Sequence, residues 1–214
     1  MTRADNIPAP AVRRLSLYLR QLEVFLAGGK PTVSSRELGQ SLGLSAAQVR
    51  KDLAYFGQFG HAGIGYRVPE LIHRVRRIMG TDKHANVLIV GVGNLGRALM
   101  SFRGFTKHGF EVAAAFDKDP SKIGERVPPG EGLLIQPLSA MPAAVRKFSI
   151  RLGVLTVPAP AAQSAAEAMV DAGIRAILNF APVTLQVDPE VAVSSVDIGV
   201  HLEQLSFRMN GSVS

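Results

Sequence analysis

The 214-residue chain contains no cysteine. That excludes disulfides, thiolate metal sites and a cysteine nucleophile, and it suits a reducing cytoplasm. Long apolar runs are missing as well. The opening MTRADNIPAPAVRRL is no secretory signal, and every apolar stretch falls short of the roughly 20 residues a membrane helix requires. We therefore expect a cytoplasmic location and no membrane partner. Histidine is sparse: the five, His61, His73, His84, His108 and His201, are scattered, and no metal site is expected from them. What remains is 47% hydrophobic and 19% charged, an ordinary composition for a folded chain of one large or two small domains.

The net charge of +7 is unevenly placed. Residues 1–80 carry 12 Lys and Arg against 5 Asp and Glu, whereas residues 81–214 carry 12 of each. A basic segment joined to a neutral one implies a polyanionic partner for the first; the plainer alternative is a solvated basic surface.

Within residues 1–80, Val12, Leu15, Leu19, Leu22 and Phe25 keep helical spacing from Pro10 to about Ala27, where Gly28-Gly29 ends the pattern. In "TVSSRELGQSLGLSAAQVRKDLAYFG", Ser34 or Ser35 caps a short helix over about residues 36–42. Gly43 breaks it, and Ser45 with Gln48 forms a second capping signal, S-x-x-Q. This is the helix-turn-helix pattern. On a helical wheel Ala46, Val49, Leu53 and Phe56 turn inward. Ala47, Gln48, Lys51 and Tyr55 turn outward with Arg50 at their edge, near the cap Ser45. Amides and cations beside a small residue suit base edges in a major groove. "GQFGHAGIGYRV" follows, with alternation at Ile64, Tyr66 and Val68. It reads as a β-hairpin wing, with His61 and Arg67 placed for phosphates or a minor groove. Gly39-Gln40-Ser41-Leu42-Gly43 spells the hydrolase nucleophile elbow, but that motif needs a strand before it, and here a helix is expected.

After the polar joint TDKHA the pattern changes. "ANVLIV" reads as a buried parallel strand. Gly91-Val92-Gly93-Asn94-Leu95-Gly96 follows it and opens a helix read over "NLGRALMSFRGFTKHG". The next strand, "EVAAAFD", ends in Asp117, 21 residues after Gly96. G-x-G-x-x-G between strand and helix, with an acid at that distance, is a dinucleotide fingerprint. Asp117 would accept the adenosine ribose hydroxyls and repel a 2′-phosphate, favouring NAD over NADP, while Lys118 softens that preference. Further strand–helix alternation implies one doubly wound sheet. Its strand-end loops, Thr156-Val157-Pro158 and Asn179-Phe180-Ala181-Pro182, are candidates for the far half of the cofactor, and Phe102 and Phe105 for either the nicotinamide end or, the commoner role, plain core. The tail "SSVDIGVHLEQLSFRMNGS" reads as a capped amphipathic helix. Its stripe of Ile198, Leu202, Leu205 and Met209 must dock on its own sheet or on a second subunit.

In "VSSRELGQSLGLSAAQVRKDLAYFGQFGHAGIGY", "LIVGVGNLGRAL", "AFDKDPSKIG", "LTVPAPAAQ", "ILNFAP" and "VDIGVHLEQLSF", nearly the whole chain resembles the redox-sensing transcriptional repressors of the Rex family. The resemblance implies a homodimer with an α/β chain organised in three parts. Residues 1–80 form a winged-helix (helix-turn-helix) domain for double-stranded operator DNA, residues 81–196 a Rossmann domain for NADH and NAD+, and residues 197–214 a C-terminal helix exchanged between subunits. NADH releases the operator, and NAD+ competes weakly or favours the DNA-bound form. Asp197 matches an acidic residue that couples cofactor to DNA-domain orientation. Phe102 stands where some members carry a tyrosine, so a switch through that hydroxyl is not expected here. A dehydrogenase is the rival reading. Against it, one nucleotide sheet uses nearly all the residues after the basic segment, and no His or Lys falls in a strand-end loop where a hydride acceptor's carbonyl would sit. A coenzyme A binder is the third reading, opposed by Asp117, which suits a free ribose diol.

Overall fold

Prolines at positions 8 and 10 start the first helix, α1 (Ala9–Ala27), where their missing N–H groups cost nothing. Ala11, Leu15, Tyr18 and Leu22 form its buried stripe. The computed structural model describes residues 7–60, 65–128 and 132–210. It divides into two compact units, Met1–Lys83 and His84–Ser214.

In the first unit, α1 is followed by β1 (Thr32–Val33), α2 (Ser35–Gln40), α3 (Ala46–Ala54), β2 (Tyr66–Arg67) and α4 (Val68–Met79). Ser34 caps α2 through a full reciprocal box with Glu37. Lys30 and Ser34 both donate to the Glu37 carboxylate, which holds its pKa down at about 2. The box expected at Ser45 forms only in half. Ser45 Oγ accepts from the Gln48 N–H at 3.1 Å, but the Gln48 amide turns away to Asp52. The α2–α3 turn is tight because Gly39 lies against it: a Cβ there would meet the Leu44 carbonyl at 2.6 Å. Gly39 and Ser41 thus belong to a helix and its end, and Ser41 Oγ donates to the Leu38 carbonyl. The expected wing is partly redrawn. Tyr66 and Arg67 pair antiparallel with Val33 and Thr32, from before the helix pair. Val68 begins α4 instead of ending a strand. His61 lies outside the described residues.

The second unit runs β3 (Ala85–Val90), α5 (Asn94–Met100), α6 (Gly104–Lys107), β4 (Phe110–Asp117), β5 (Arg126–Val127) and β6 (Leu133–Pro137). It continues through α7 (Met141–Phe148), β7 (Leu152–Leu155), α8 (Ala159–Asp171), β8 (Ala176–Asn179), β9 (Ala192–Ser195) and α9 (Ile198–Asn210). The sheet order is β5-β6-β4-β3-β7-β8-β9. All neighbours are parallel except β5 with β6. This is the doubly wound Rossmann order with an antiparallel edge, and its strand order reverses between β3 and β7.

Two expectations are corrected, and one observation bears on an open alternative. The single helix read over residues 94–109 breaks after Met100, where Ser101 caps it and turns its hydroxyl back to the Arg97 carbonyl. The segment before the last helix is strand, not cap: Ser194 and Ser195 lie in β9. Asp197 instead accepts from the Val200 N–H at 3.2 Å and caps α9. Finally, α9 buries nothing on its own unit: Ile198, Leu202, Leu205 and Met209 are 55–73% exposed. Among the described residues no helix is long and apolar enough to cross a membrane.

Candidate nucleotide pocket and nucleic-acid interface

A cavity of about 840 Å³ opens beyond the carboxyl ends of β3 and β7, at the point where the strand order reverses. Ligands of doubly wound sheets bind there. Gly91 leaves β3 with φ +97°, and a Cβ on it would meet the Thr156 backbone at 2.8 Å. Thr156 ties the two strand ends together: its hydroxyl donates to the Gly91 carbonyl at 2.7 Å, and its N–H to the Val90 carbonyl. Gly96, on α5, packs directly against the Gly91 carbonyl and leaves no room for a side chain. Gly93 is the opposite case. Nothing lies within 4 Å of where its Cβ would be, so a ligand can approach the backbone. Gly93, Asn94 and Leu95 line the cavity. Val92 does not: its side chain is buried and its N–H is donated to Asp117.

Asp117 closes the β4 end of the cavity and is only 6% exposed. Its Oδ2 accepts from Val92 N–H at 2.8 Å and from Lys122 Nζ at 3.1 Å, and its Oδ1 from Asp119 N–H at 3.0 Å. Burial alone would push its pKa up. The backbone donors and Lys122 outweigh that and hold it below the usual carboxylate range. A carboxylate offers about four acceptor positions, so one remains, on Oδ1. Asp117 thus reaches the cavity already holding three bonds. Lys118 lines the cavity as expected. Lys122 was not foreseen, because its meeting with Asp117 depends on the Asp119–Ser121 turn between them.

The other proposed cofactor contacts divide. Thr156, Val157, Pro158 and Phe180 line the cavity; Asn179, Ala181 and Pro182 do not. Asn179 and Ala181 are buried and bonded to each other, and Pro182 is exposed. Phe102 is also absent from the cavity. The break after α5 carries it out to 57% exposure, edge-on to Phe105 at 5.7 Å, in a separate hollow of about 480 Å³. Among the described residues no cluster of His, Asp or Glu could hold a metal ion.

In the first unit, Ala47, Arg50 and Lys51 are exposed on α3, with Ser45 exposed at its cap and Tyr55 half-buried at its end. Arg50 also reaches Ser35 Oγ at 3.3 Å. Arg67 is exposed and pairs loosely with Glu70 at 3.5 Å. Gln48 departs from the expected outward face, because it is recruited to Asp52. That aspartate is fully buried, and sequence spacing did not single it out. It accepts from Arg14 Nε and Nη2 at 2.6 and 2.7 Å, from Tyr18 Oη at 2.6 Å and from Gln48 Nε2 at 2.8 Å. Burial pushes its pKa up; the bonds from Arg14, Tyr18 and Gln48 more than offset this and keep it ionised. The same network raises the pKa of Arg14, and burial with the bond to Asp52 raises that of Tyr18. The helix that carries Lys51 is therefore bolted to α1 through charge. Near β2, Arg74 donates to the Gln58 carbonyl and lies 5.7 Å over the Phe59 ring, fixing the approach to the wing segment.

Comparison with known proteins completes the picture. Residues 82–183 match the family model described as CoA binding domain. Residues 6–54 match the one described as "Putative DNA-binding protein N-terminus". A redox-sensing transcriptional repressor Rex from Chloroflexus aggregans is 44% identical over 209 residues, covering 98% of this chain and 97% of the relative. The chain is also similar to RSP in complex with β-NAD+ and operator DNA (TM-score 0.90, 35% identity, 96% of this chain and 94% of the other). The complex of RSP with β-NADH gives a TM-score of 0.84 at 34% identity, with 97% and 96% coverage.

Proposed function

The chain belongs to the Rex family of redox-sensing transcriptional repressors, and from that premise we propose how its own residues read DNA and nicotinamide coenzyme. Residues 1–80 bind double-stranded operator DNA, residues 81–196 bind NADH or NAD+, and residues 197–214 join two copies into a homodimer; the repressor works in the cytoplasm. The observation that carries this reading is the pocket at the β3–β7 reversal. An open Gly93, a packed Gly96 and an ionised, cavity-facing Asp117 match a dinucleotide's pyrophosphate and ribose. They stand in one chain with a capped helix that exposes Arg50 and Lys51.

The residues present fit the coenzyme. Gly93, Asn94 and Leu95 would lie along the phosphates, with Asp117 at a ribose hydroxyl and Thr156, Val157, Pro158 and Phe180 at the nicotinamide half. The coenzyme, when bound, supplies a ring that is neutral when reduced and cationic when oxidised. Phe180 and Val157 make an apolar wall, which favours the neutral ring because burying a cation costs more. Lys51, Arg50 and Arg67 would contact phosphates and Ala47 and Tyr55 the groove, with Ser45 setting the helix start and Gln48 held back by Asp52. The exposed stripe of α9 favours a second copy as its cover, since an apolar face of that extent is costly in water. Two subunits then present two α3 helices about one DNA turn apart, and a ligand preferring one dimer arrangement changes operator affinity by selecting it. Asp197, at the root of α9, is placed to couple the two events.

The test is a gel shift on operator-containing duplex with NAD+ or NADH added. Retention with NAD+ and release with NADH is the expected result. Equal retention with both rejects the reading, and turnover of a small alcohol or hydroxy acid would favour the dehydrogenase.

A further inference from the structure

Three polar side chains are fully or nearly fully buried among the described residues: Asp52, Asp117 and Asn179. Asp52 bolts α3 to α1 and Asp117 faces the pocket. Asn179 is 0% exposed and does neither. It sits at the last position of β8, in register with Ser195, the last residue of β9.

Its side chain and its backbone hold different neighbours. Toward the pocket, Asn179 Oδ1 accepts from the Ala181 N–H at 2.9 Å, and Nδ2 donates to the Ala181 and Val183 carbonyls at 3.1 and 2.9 Å. These bonds clamp the loop around Phe180, which is a wall of the cavity. Toward α9, the Asn179 backbone carbonyl accepts from the Val196 N–H at 2.8 Å in the β8–β9 ladder, and the side-chain Nδ2 lies 3.4 Å from Ser195 Oγ. Val196 precedes Asp197, the cap of α9. One buried residue therefore holds both the pocket's apolar wall and the root of the exposed apolar helix. A buried amide with its donors and acceptor satisfied has few alternative positions, since any move strands polar atoms away from water. A displacement of the Phe180 loop must then be shared by the 195–197 segment.

We infer that Asn179 is a positioning residue that transmits occupancy at Phe180 to the start of α9, without touching the coenzyme. This rests on the coenzyme reading above, and the experiment separates the two. Operator binding by the full chain is titrated by fluorescence anisotropy with and without NADH, for wild type and Asn179→Ser, alongside direct NADH binding. In the variant, at NADH concentrations that saturate it as judged by direct binding, the ratio of operator affinities without and with NADH falls at least about ten-fold. A purely structural role would weaken folding and both bindings but preserve that ratio, and this outcome overturns the inference. A wild type indifferent to NADH rejects the coenzyme reading instead. If Asn179→Ser does not fold, amide exchange on the wild type decides. NADH should change protection at Ala181 and at Val196 together, and a change at 180–183 with none at 195–200 overturns the inference.

Discussion

Asp52 in the first unit and Asp117 in the second are the same residue, similarly buried and both held ionised, yet they are built for different ends. Asp52 accepts four bonds, all from side chains on α1 and α3, which fill its acceptor positions. Asp117 accepts two bonds from backbone N–H groups and one from Lys122, and keeps a position free toward a cavity. A buried carboxylate saturated by side chains locks elements together. One held largely by backbone can stay charged and still receive a ligand. The basic unit thus uses its buried carboxylate to fix α3 against α1, and the neutral unit sets its own at the lining of the pocket, where we propose that it selects the ligand.

The sharpest way to break the comparison is Asp52→Ala. It strands Arg14 and Tyr18 and should cost about 3 kcal/mol in the first unit. Thermal melting would read the loss, with operator binding reduced and NADH affinity unchanged; a parallel loss of NADH binding would show that the two carboxylates are not independent. The pH dependence has a definite sign. The folded pKa of Asp52 is depressed, so its stabilisation is complete above the unfolded value of about 3.9 and disappears as pH falls through the lower folded value. Wild type and variant should therefore converge in stability in strong acid. Gly96→Val comes next. With the Gly91 carbonyl against that position, overpacking of about 2 kcal/mol should lower NADH affinity roughly 30-fold while ligand-free operator binding persists. Calorimetric titration returning wild-type affinity would remove the turn from the site. Smaller still, Asp117→Asn should reduce discrimination against NADPH about ten-fold, near 1.4 kcal/mol. Lys122→Ala should increase it, by leaving the carboxylate less neutralised. Competition binding of the two coenzymes measures both, and equal ratios in all three proteins would deny Asp117 its selective role. Least in free energy, Lys51→Ala should lower the slope of log affinity against log salt by about one, with modest loss at low salt; an unchanged slope would take Lys51 off the DNA.

Much of this was legible without coordinates because it rests on local rules. The cap at Ser45, the glycines that end α1 and α4 and the run from "ANVLIV" into the glycine turn depend on neighbours a few residues apart. Asp117 could be found by its distance from Gly96. Other features had no local signal. The edge strand β9 is four residues long and exposed along its length, so it carries no alternation. The helical pattern runs on past Met100, but the chain turns at Ser101 and carries Phe102 out to the surface, away from the pocket.

The order of elements, the charged first segment and the phosphate-shaped turn were determined by sequence alone, since spacing and residue type suffice for them. Tertiary structure decided which polar groups met: Arg14 with Asp52 across 38 positions, Val92 with Asp117 across 25, and Asn86 with the Phe148 carbonyl across 62. It did so because a buried polar atom must find its partner through space, and periodicity along a helix or strand carries no record of which distant residue will be there.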